Sequence, residues 1–205
     1  MENNKSNERM AVYVGENNDI GFDICRALVN IDDCSDKTKM LELWENNREN
    51  SWNRLHFDPG HFTTSVFVCD KELNSVLLIH HKKLQMKLQP GGHIEDGDTS
   101  FIEAGKRELS EETGIETFEI EPLPFDVDIH LFPRKVKNGV EVNPDHFHFD
   151  IRYLARVDIS TNLERQVEEI DGIEWVPVDK LYETTPQEGM RRVQEKLISI
   201  RDSSQ

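Results

Sequence analysis

Cysteine, basic charge and long apolar runs are all scarce in this chain of 205 residues. The three cysteines form no C-x-x-C pair, which argues against a disulfide framework or a thiolate zinc site. Lys and Arg number 24 against 40 Asp and Glu, so the net charge of −16 disfavours binding to a nucleic-acid backbone. No apolar run approaches the ~20 residues of a membrane span, and polar Met1–Arg9 lacks the apolar segment of a secretory signal. We therefore expect a cytoplasmic protein that binds neither nucleic acid nor membrane.

The composition and the hydrophobic pattern of the sequence change along the chain. Apolar residues make up 36% of it, which is enough for a core at this length. Residues 1–17 are polar and are predicted to form a flexible arm. Apolar residues at spacings of three and four predict an N-terminal helical extension over residues 18–58. Residues 59–205 combine strand, turn and helix patterns and are predicted to be the main domain.

Strand and helix patterns follow one another within residues 59–205. Segments rich in β-branched and apolar residues predict strands at Thr63–Cys69, Ser75–His80, Met86–Leu88, Thr117–Glu121, Val127–Phe132, Phe147–Val157 and Glu174–Val178. A loop is predicted at Gly91–Thr99, followed by a helix at Ser100–Thr113 that Gly114 ends. A last helix is predicted at Pro186–Ile200. This order predicts an α/β fold in which helices cover a mixed sheet.

Three glutamates in the first of these helices indicate a metal site. Glu108, Glu111 and Glu112 stand at i, i+3 and i+4, so they share one face. Their charges repel one another, and at the C-terminal end of a helix they oppose its dipole. A hard divalent cation removes both conflicts, and all-oxygen ligands suit Mg²⁺ or Mn²⁺. The Gly91-Gly92 pair before the helix lets the backbone approach closely, so that a carbonyl can be a further ligand.

The segment from Gly92 to Ile115 resembles the Nudix box, the signature of the Nudix hydrolase superfamily. The family pattern is Gly, five residues, Glu, seven residues, and then Arg-Glu-apolar-x-Glu-Glu-x-Gly-apolar. The second half matches fully, from Arg107 to Ile115. In the first half Asp98 replaces the glutamate, and eight residues instead of seven separate it from Arg107. We place the extra residue at the junction of loop and helix, where it leaves the carboxylate face intact.

The resemblance implies an α/β/α sandwich around a mixed sheet, with residues 59–205 as the Nudix hydrolase domain. It implies an Mg²⁺- or Mn²⁺-dependent hydrolase that cleaves the diphosphate linkage of a nucleoside diphosphate linked to another moiety. A divalent ion also explains how a chain of net charge −16 binds an anionic small molecule. Family members are often dimers, so a homodimer is a further expectation.

The resemblance also assigns roles to individual residues. The implied metal ligands are Glu108, Glu111, Glu112 and the carbonyl of Gly92. Arg107 would pair with a box carboxylate. The general base would be a box glutamate or an acid on a later loop, where the candidates are Glu168, Glu169 and Asp171, with Glu169 taken as the catalytic one. The substrate itself is indicated by no further motif.

Polar residues alternate along two of the later predicted strands. The first set is Asp126, Asp128 and His130, and the second is His146, His148 and Asp150. If the strands pair through the Asn138-Gly139 turn, both sets line one pocket. Such clusters bind metals or phosphates and donate protons, although a lone histidine is more often structural. The residues predicted to bind substrate are therefore His93, His130, His146 and His148.

Two alternative functions stay open at the level of sequence. A non-catalytic nucleotide-binding or regulatory protein with a Nudix fold normally has a damaged box, whereas here only Asp98 and the insertion are irregular. Isopentenyl-diphosphate isomerase resembles the same fold but uses a cysteine and a glutamate as proton donor and acceptor. Cys69 is the only cysteine within residues 59–205, and it lies in an apolar strand without a supporting motif.

Overall fold

Helices and strands alternate along the part of the chain described by the computed structural model, which comprises residues 20–32, 34–137 and 140–203. The α-helices of this part are α1 Ile20–Val29, α2 Ser35–Asn47, α3 Phe101–Thr113, α4 Leu181–Thr184 and α5 Glu188–Ser203. Short 3₁₀-helices span Arg48–Trp52 and Val178–Lys180. The strands are β1 Gly60–Asp70, β2 Ser75–His81, β3 Met86–Leu88, β4 Gly91–His93, β5 Glu119–Ile120, β6 Asp126–Phe132, β7 Lys135–Lys137, β8 Val140–Asn143, β9 His146–Val157 and β10 Ile170–Pro177.

Eight of the described strands form one hydrogen-bonded sheet. Its order is β10-β2-β1-β9-β5, with β3 paired to β2, β4 paired to β1 and β6 paired to β9. The predicted hairpin is confirmed by the antiparallel pairing of β1 and β2, in which Val68 lies opposite Leu77. Strand β10 pairs antiparallel with the other side of β2, with Trp175 opposite the same Leu77. The predicted α/β class and the helical N-terminal region are thus confirmed.

The structure differs from the sequence prediction in several segments, among them the last strand, which begins at Ile170 rather than Glu174, and the unpredicted helix α4. The predicted loop at Gly91–Thr99 begins with strand β4, since its glycines pair with β1 although glycine has a low strand propensity. Strands β7 and β8 form a separate two-stranded sheet that was not predicted. The predicted Asn138-Gly139 turn and the predicted arm at residues 1–17 lie outside the described residues.

Contacts group the described chain into two compact units, each built from three segments. The first unit contains the residues up to Thr64, together with His93–Ala104 and Leu123–Ile151. Its core contains the fully buried ring of Phe62, whose centroid lies 5.6 Å from that of Phe101 and 6.0 Å from that of Phe149. Further buried side chains of this unit are Ile24, Leu28, Met40 and Leu43, which are supplied by α1 and α2.

The second unit contains Ser65–Gly92, Gly105–Pro122 and the chain from Arg152 onward. Its buried apolar side chains include Phe67, Leu77, Leu109, Tyr153 and Leu197. The guanidinium of Arg152 lies 5.7 Å from the ring centroid of Phe67, an arrangement typical of a cation–π contact. None of the helices in the described ranges is long and apolar enough to cross a membrane.

The start of helix α3 is fixed by side chains of the first unit. The hydroxyl oxygen of Ser100 accepts the Glu103 N–H at 3.2 Å, which is the pattern of an N-cap. A carboxylate oxygen of Asp23 accepts the Phe101 N–H at 2.7 Å, although burial raises the pKa of Asp23. The Thr64 hydroxyl donates to the Phe101 carbonyl at 3.0 Å. These bonds set the point from which the helix with the glutamate triplet begins.

Gly114 ends helix α3 as the sequence predicts. Its φ of +71° lies in the left-handed region, which residues other than glycine rarely adopt. Its N–H donates to the Ser110 carbonyl at 2.9 Å. A Cβ at this position would lie 2.8 Å from Cβ of Glu164, so both backbone conformation and space require glycine here.

Candidate active site

The glutamate triplet of helix α3 lies in the second unit, against the backbone of β4. Glu112 is 5% exposed, and one of its carboxylate oxygens accepts the Gly91 N–H at 2.9 Å. Glu108 is half-buried, and Glu111 is exposed. A Cβ built on Gly92 would lie 2.4 Å from a carboxylate oxygen of Glu108. The close approach of the Gly92 backbone to Glu108 therefore depends on glycine.

The environment of Glu112 strongly disfavours its charged form. Burial raises the pKa of Glu112 to about 8, while the Gly91 N–H bond opposes this shift. The charges of Glu108, Glu169 and Glu111 account for part of this rise in the pKa. A carboxyl in such a setting ionises readily only when a cation compensates the surrounding negative charge.

Arg107 links two of the box carboxylates. One guanidinium nitrogen lies 3.0 Å from a carboxylate oxygen of Glu108 and 3.3 Å from one of Glu111. Both partners belong to the same helix, so the guanidinium offsets part of the repulsion within the triplet. It also restrains the positions of these two carboxylates.

The three acids predicted on the later loop differ in their surroundings. Glu169 forms an ion pair with Lys83, and its carbonyl accepts the Lys82 N–H at 2.8 Å. The negative charge of Glu169 contributes to the raised pKa of Glu112. Asp171 lies in strand β10 and not on the predicted loop, 3.7 Å from the Lys82 ammonium. Glu168 is exposed. Of the three acids, Glu169 is thus the one whose charge raises the pKa of a box glutamate, Glu112.

Asp98, which stands where the family pattern has glutamate, closes a turn in the first unit. Its carboxylate accepts the Glu95 N–H at 2.8 Å, and its own N–H donates to the Glu95 carbonyl at 3.1 Å. Such reciprocal bonds are typical of an aspartate that stabilises a turn.

The four predicted histidines come together in the first unit, and a fifth joins them. Taken between ring centroids, the distances from His148 are 5.0 Å to His61, 5.3 Å to His93, 5.5 Å to His130 and 5.1 Å to His146. The ring of Phe132 stacks on His148 at 4.7 Å, and that of Phe57 meets His146 edge-on at 4.9 Å. Strands β6 and β9 carry three of these histidines and are paired, which meets the condition under which the two polar sets lie together.

The sequence reasoning missed His61. The signal that could have identified it is the alternation of His61 and Thr63 on either side of Phe62 at the start of strand β1. The Thr63 hydroxyl donates to a carboxylate oxygen of Asp150 at 3.2 Å, so this alternation does meet the polar set of β9.

Burial keeps the central histidines neutral at pH 7. It lowers the pKa of His148 to about 2, assisted by His130, His61, His93 and His146. It also lowers the pKa of His61 to about 4. Nδ1 of His61 lies 3.0 Å from the His56 carbonyl oxygen, which only accepts. The proton of the neutral ring is therefore on Nδ1.

Cys69 is unsuited to proton transfer with a bound substrate. Its side chain is fully buried within β1, and burial raises the pKa of its thiol, with Asp70 adding to the shift. Within the described part of residues 59–205 the isomerase alternative therefore lacks the accessible cysteine that it requires, since the exposed Cys34 precedes this domain.

The NUDIX domain model matches residues 59–198 of the chain. The chain belongs to the NUDIX domain family, and its enzyme class is that of the Nudix pyrophosphohydrolases. A comparison with curated proteins found no significant match.

Solved structures with the same fold include three hydrolases. A NUDIX family hydrolase from Clostridium perfringens is 26% identical, with a TM-score of 0.52 over 68% of this chain and 97% of its own. An Ap4A hydrolase from C. elegans, solved as a binary complex, is 14% identical, with a TM-score of 0.54 over 69% of this chain and 98% of its own. The E. coli dihydroneopterin triphosphate pyrophosphohydrolase is 14% identical, with a TM-score of 0.50 over 66% of this chain and 92% of its own. The last two likenesses show the fold alone.

Substituting Gly92→Ala is expected to impair the site more than the fold. The new Cβ would meet the Glu108 carboxylate at 2.4 Å, and this flexible group can move aside at little cost in stability. Its displacement should lower the hydrolytic rate by roughly tenfold, which corresponds to about 1.4 kcal/mol of transition-state stabilisation. Rates and thermal unfolding of the purified variant check this.

Gly172→Ala is the matched control, because its Cβ would make only an ordinary contact at 3.6 Å with the His80 ring. It should keep the wild-type rate. Equal rates for Gly92→Ala and Gly172→Ala would contradict the role of the Gly92 approach.

Proposed function

We propose that this protein is an Mg²⁺- or Mn²⁺-dependent hydrolase that cleaves the diphosphate linkage of a nucleoside diphosphate linked to another moiety. The observation that carries this proposal is the packing of Glu108 and buried Glu112 against the Gly91-Gly92 backbone. Membership in the NUDIX domain family supports the reaction class.

A hard divalent ion fits the groups present at the box. The donors on α3 are carboxylates, and the raised pKa of Glu112 reflects an excess of negative charge that a cation would offset. The groups that would hold the ion are the carboxylates of Glu108, Glu111 and Glu112 and the carbonyl of Gly92. When bound, the ion would neutralise diphosphate charge and lower the pKa of the attacking water.

The chain's own residues would divide the remaining tasks. Arg107 restrains Glu108 and Glu111, which keeps the two carboxylates positioned. Glu169 would accept the proton of the attacking water at its carboxylate, and Lys83 would hold that carboxylate in place. A box glutamate is the alternative base. If the pH–rate profile of a Glu169→Gln variant is unchanged, the general base is a box glutamate instead of Glu169.

A panel of substrates tests the proposed function. The protein is stripped with EDTA and supplied with Mg²⁺ or Mn²⁺, and the products are separated and identified by mass spectrometry. The panel comprises ADP-ribose, dinucleoside polyphosphates including Ap4A, oxidised nucleotides, coenzyme A, NADH and dihydroneopterin triphosphate. We expect metal-dependent release of a nucleoside monophosphate or another phosphorylated product from at least one class.

The same panel separates the hydrolase from its main alternative. Compounds that bind without any turnover, with metal present, would favour a non-catalytic nucleotide-binding or regulatory protein. Turnover that survives in a Cys69→Ala variant would agree with hydrolysis and argue further against the isomerase, since Cys69 would be unnecessary.

The partners and location predicted from the sequence belong to this proposal. The net charge of −16 supports a small anionic substrate bound through a metal rather than a nucleic-acid partner. A cytoplasmic location, the absence of a membrane partner and a homodimer stay predictions. Light scattering coupled to size-exclusion chromatography tests the dimer.

A further inference from the structure

We propose that His61, His93 and His148 form a second metal site within the first unit, one that binds a borderline transition-metal ion, with Zn²⁺ as the best match. Its three imidazole donors contrast with the all-oxygen set of the box glutamates. The inference does not depend on the proposed hydrolytic function, because it concerns residues outside the glutamate triplet and is tested by metal binding.

The three rings are arranged as ligands of one ion could be. A ring nitrogen of each histidine lies within 4.8 Å of one from each of the other two. The centroid of the His61 ring lies 5.1 Å from that of His93 and 5.0 Å from that of His148. Tetrahedral zinc places its nitrogen ligands about 3.3 Å apart, so the rings would close in by roughly 1 Å on binding. Small side-chain rotations suffice for such a movement.

Two of the three histidines carry a buried nitrogen that the protein does not satisfy. Nε2 of His61 and Nε2 of His148 are inaccessible to solvent and have no hydrogen-bond partner among the described residues. The whole residues are 0% and 8% exposed. An unpaired buried polar atom is costly, and most such atoms in folded proteins have a partner. A metal ion would supply this missing partner.

The protonation state of His61 is the one that a metal ligand needs. Its Nδ1–H donates to the His56 carbonyl at 3.0 Å, so the lone pair of the neutral ring is at Nε2. A backbone carbonyl that orients the other ring nitrogen is a common feature around metal-bound histidines. The Nε2 lone pair of His61 therefore faces the cluster as an acceptor, which suits a cation rather than the oxygens of a phosphate.

Imidazole donors select the kind of ion. Zn²⁺ and similar ions bind histidine nitrogen well, whereas Mg²⁺ prefers oxygen. Three protein ligands leave a fourth tetrahedral position open to water or an anionic group, as in catalytic zinc sites. The ring of Phe132, stacked on His148 with planes 15° apart, supplies an apolar neighbour to the cluster.

Competition between the full-length protein and a chromogenic chelator for Zn²⁺ tests this site. Millimolar Mg²⁺ is kept present throughout, so that the oxygen ligands of the box are not available to zinc. We expect one Zn²⁺ per chain, and we expect Co²⁺ in its place to show visible absorption typical of nitrogen ligation. His148→Gln should weaken Zn²⁺ binding by about 100-fold, since it removes a ligand.

A second ligand variant and two control variants complete the test. His93→Gln replaces a half-buried ligand, carries less risk to folding than His148→Gln, and should weaken binding similarly. Two control variants should keep the wild-type affinity for Zn²⁺. They are His80→Gln, in strand β2 and outside the cluster, and Glu112→Gln in the box. The proposal is overturned if the wild type binds no Zn²⁺ under these conditions, or if His93→Gln and His80→Gln bind it equally well.

Discussion

Glu112→Gln is expected to lower the hydrolytic rate by roughly 100-fold or more while the chain still folds. The amide keeps the shape of the side chain, and its oxygen can still accept the Gly91 N–H that Glu112 accepts at 2.9 Å. It lacks the negative charge that would hold the divalent ion and the ion's effect on the attacking water. Steady-state kinetics on a substrate from the panel, with circular dichroism of the variant, measure both parts.

Glu116→Gln is the matched control for this substitution. Glu116 is exposed and lies just beyond Gly114, so the same chemical change there removes a solvated charge. Its rate should equal that of the wild type. A folded Glu112→Gln variant with full activity would contradict the assignment of Glu112 to the metal.

The metal-free protein is expected to lose stability as the pH rises from about 5 to 8, through Glu112. Its carboxyl has an ordinary pKa of 4.5, but in the folded chain the pKa is raised to about 8, chiefly by burial. Between these values the folded state holds a proton that the unfolded state has released, so unfolding becomes easier as pH increases. The contribution is fully present below pH 4.5 and is lost through pH 8. It is on the order of 4 kcal/mol.

The difference between wild type and Glu112→Gln isolates this contribution from other titrating groups. Relative to the variant, the EDTA-treated wild type should fall in Tm by roughly 10 °C across this range, given a chain of this size. Mg²⁺ should reduce the fall, because it stabilises the ionised carboxylate. Parallel Tm curves for the two proteins from pH 5 to pH 8 would show that Glu112 is not perturbed in this way.

Local patterns explain what could be predicted from the sequence. Helix α3 and its glutamate face follow from residue spacing, a Ser-x-x-Glu start and a terminal glycine, and the structure ends the helix at Thr113 before Gly114 as predicted. The β1–β2 hairpin was also predictable, because a turn-rich segment separates two β-branched runs.

Long-range pairing explains what could not be predicted. Strand β4 exists because its backbone pairs with β1, and nothing in a Gly-Gly-His sequence predicts a strand. His61 joins the histidines of β6 and β9 through the arrangement of strands far apart in sequence. The electrostatic link between Glu169 and Glu112 likewise depends on how a loop before β10 folds, which no local pattern specifies.

Mn²⁺ binding, followed by the electron paramagnetic resonance signal of the free ion, tests the central claim most directly because it requires no substrate. Mn²⁺ prefers carboxylate and carbonyl oxygen, so it reports on the box rather than on the imidazole cluster. The wild type is expected to bind Mn²⁺, and a folded Glu108→Gln/Glu112→Gln variant to bind it at least tenfold more weakly, by about 1.4 kcal/mol or more. Equal binding by the two proteins would contradict the assignment of the box glutamates as metal ligands.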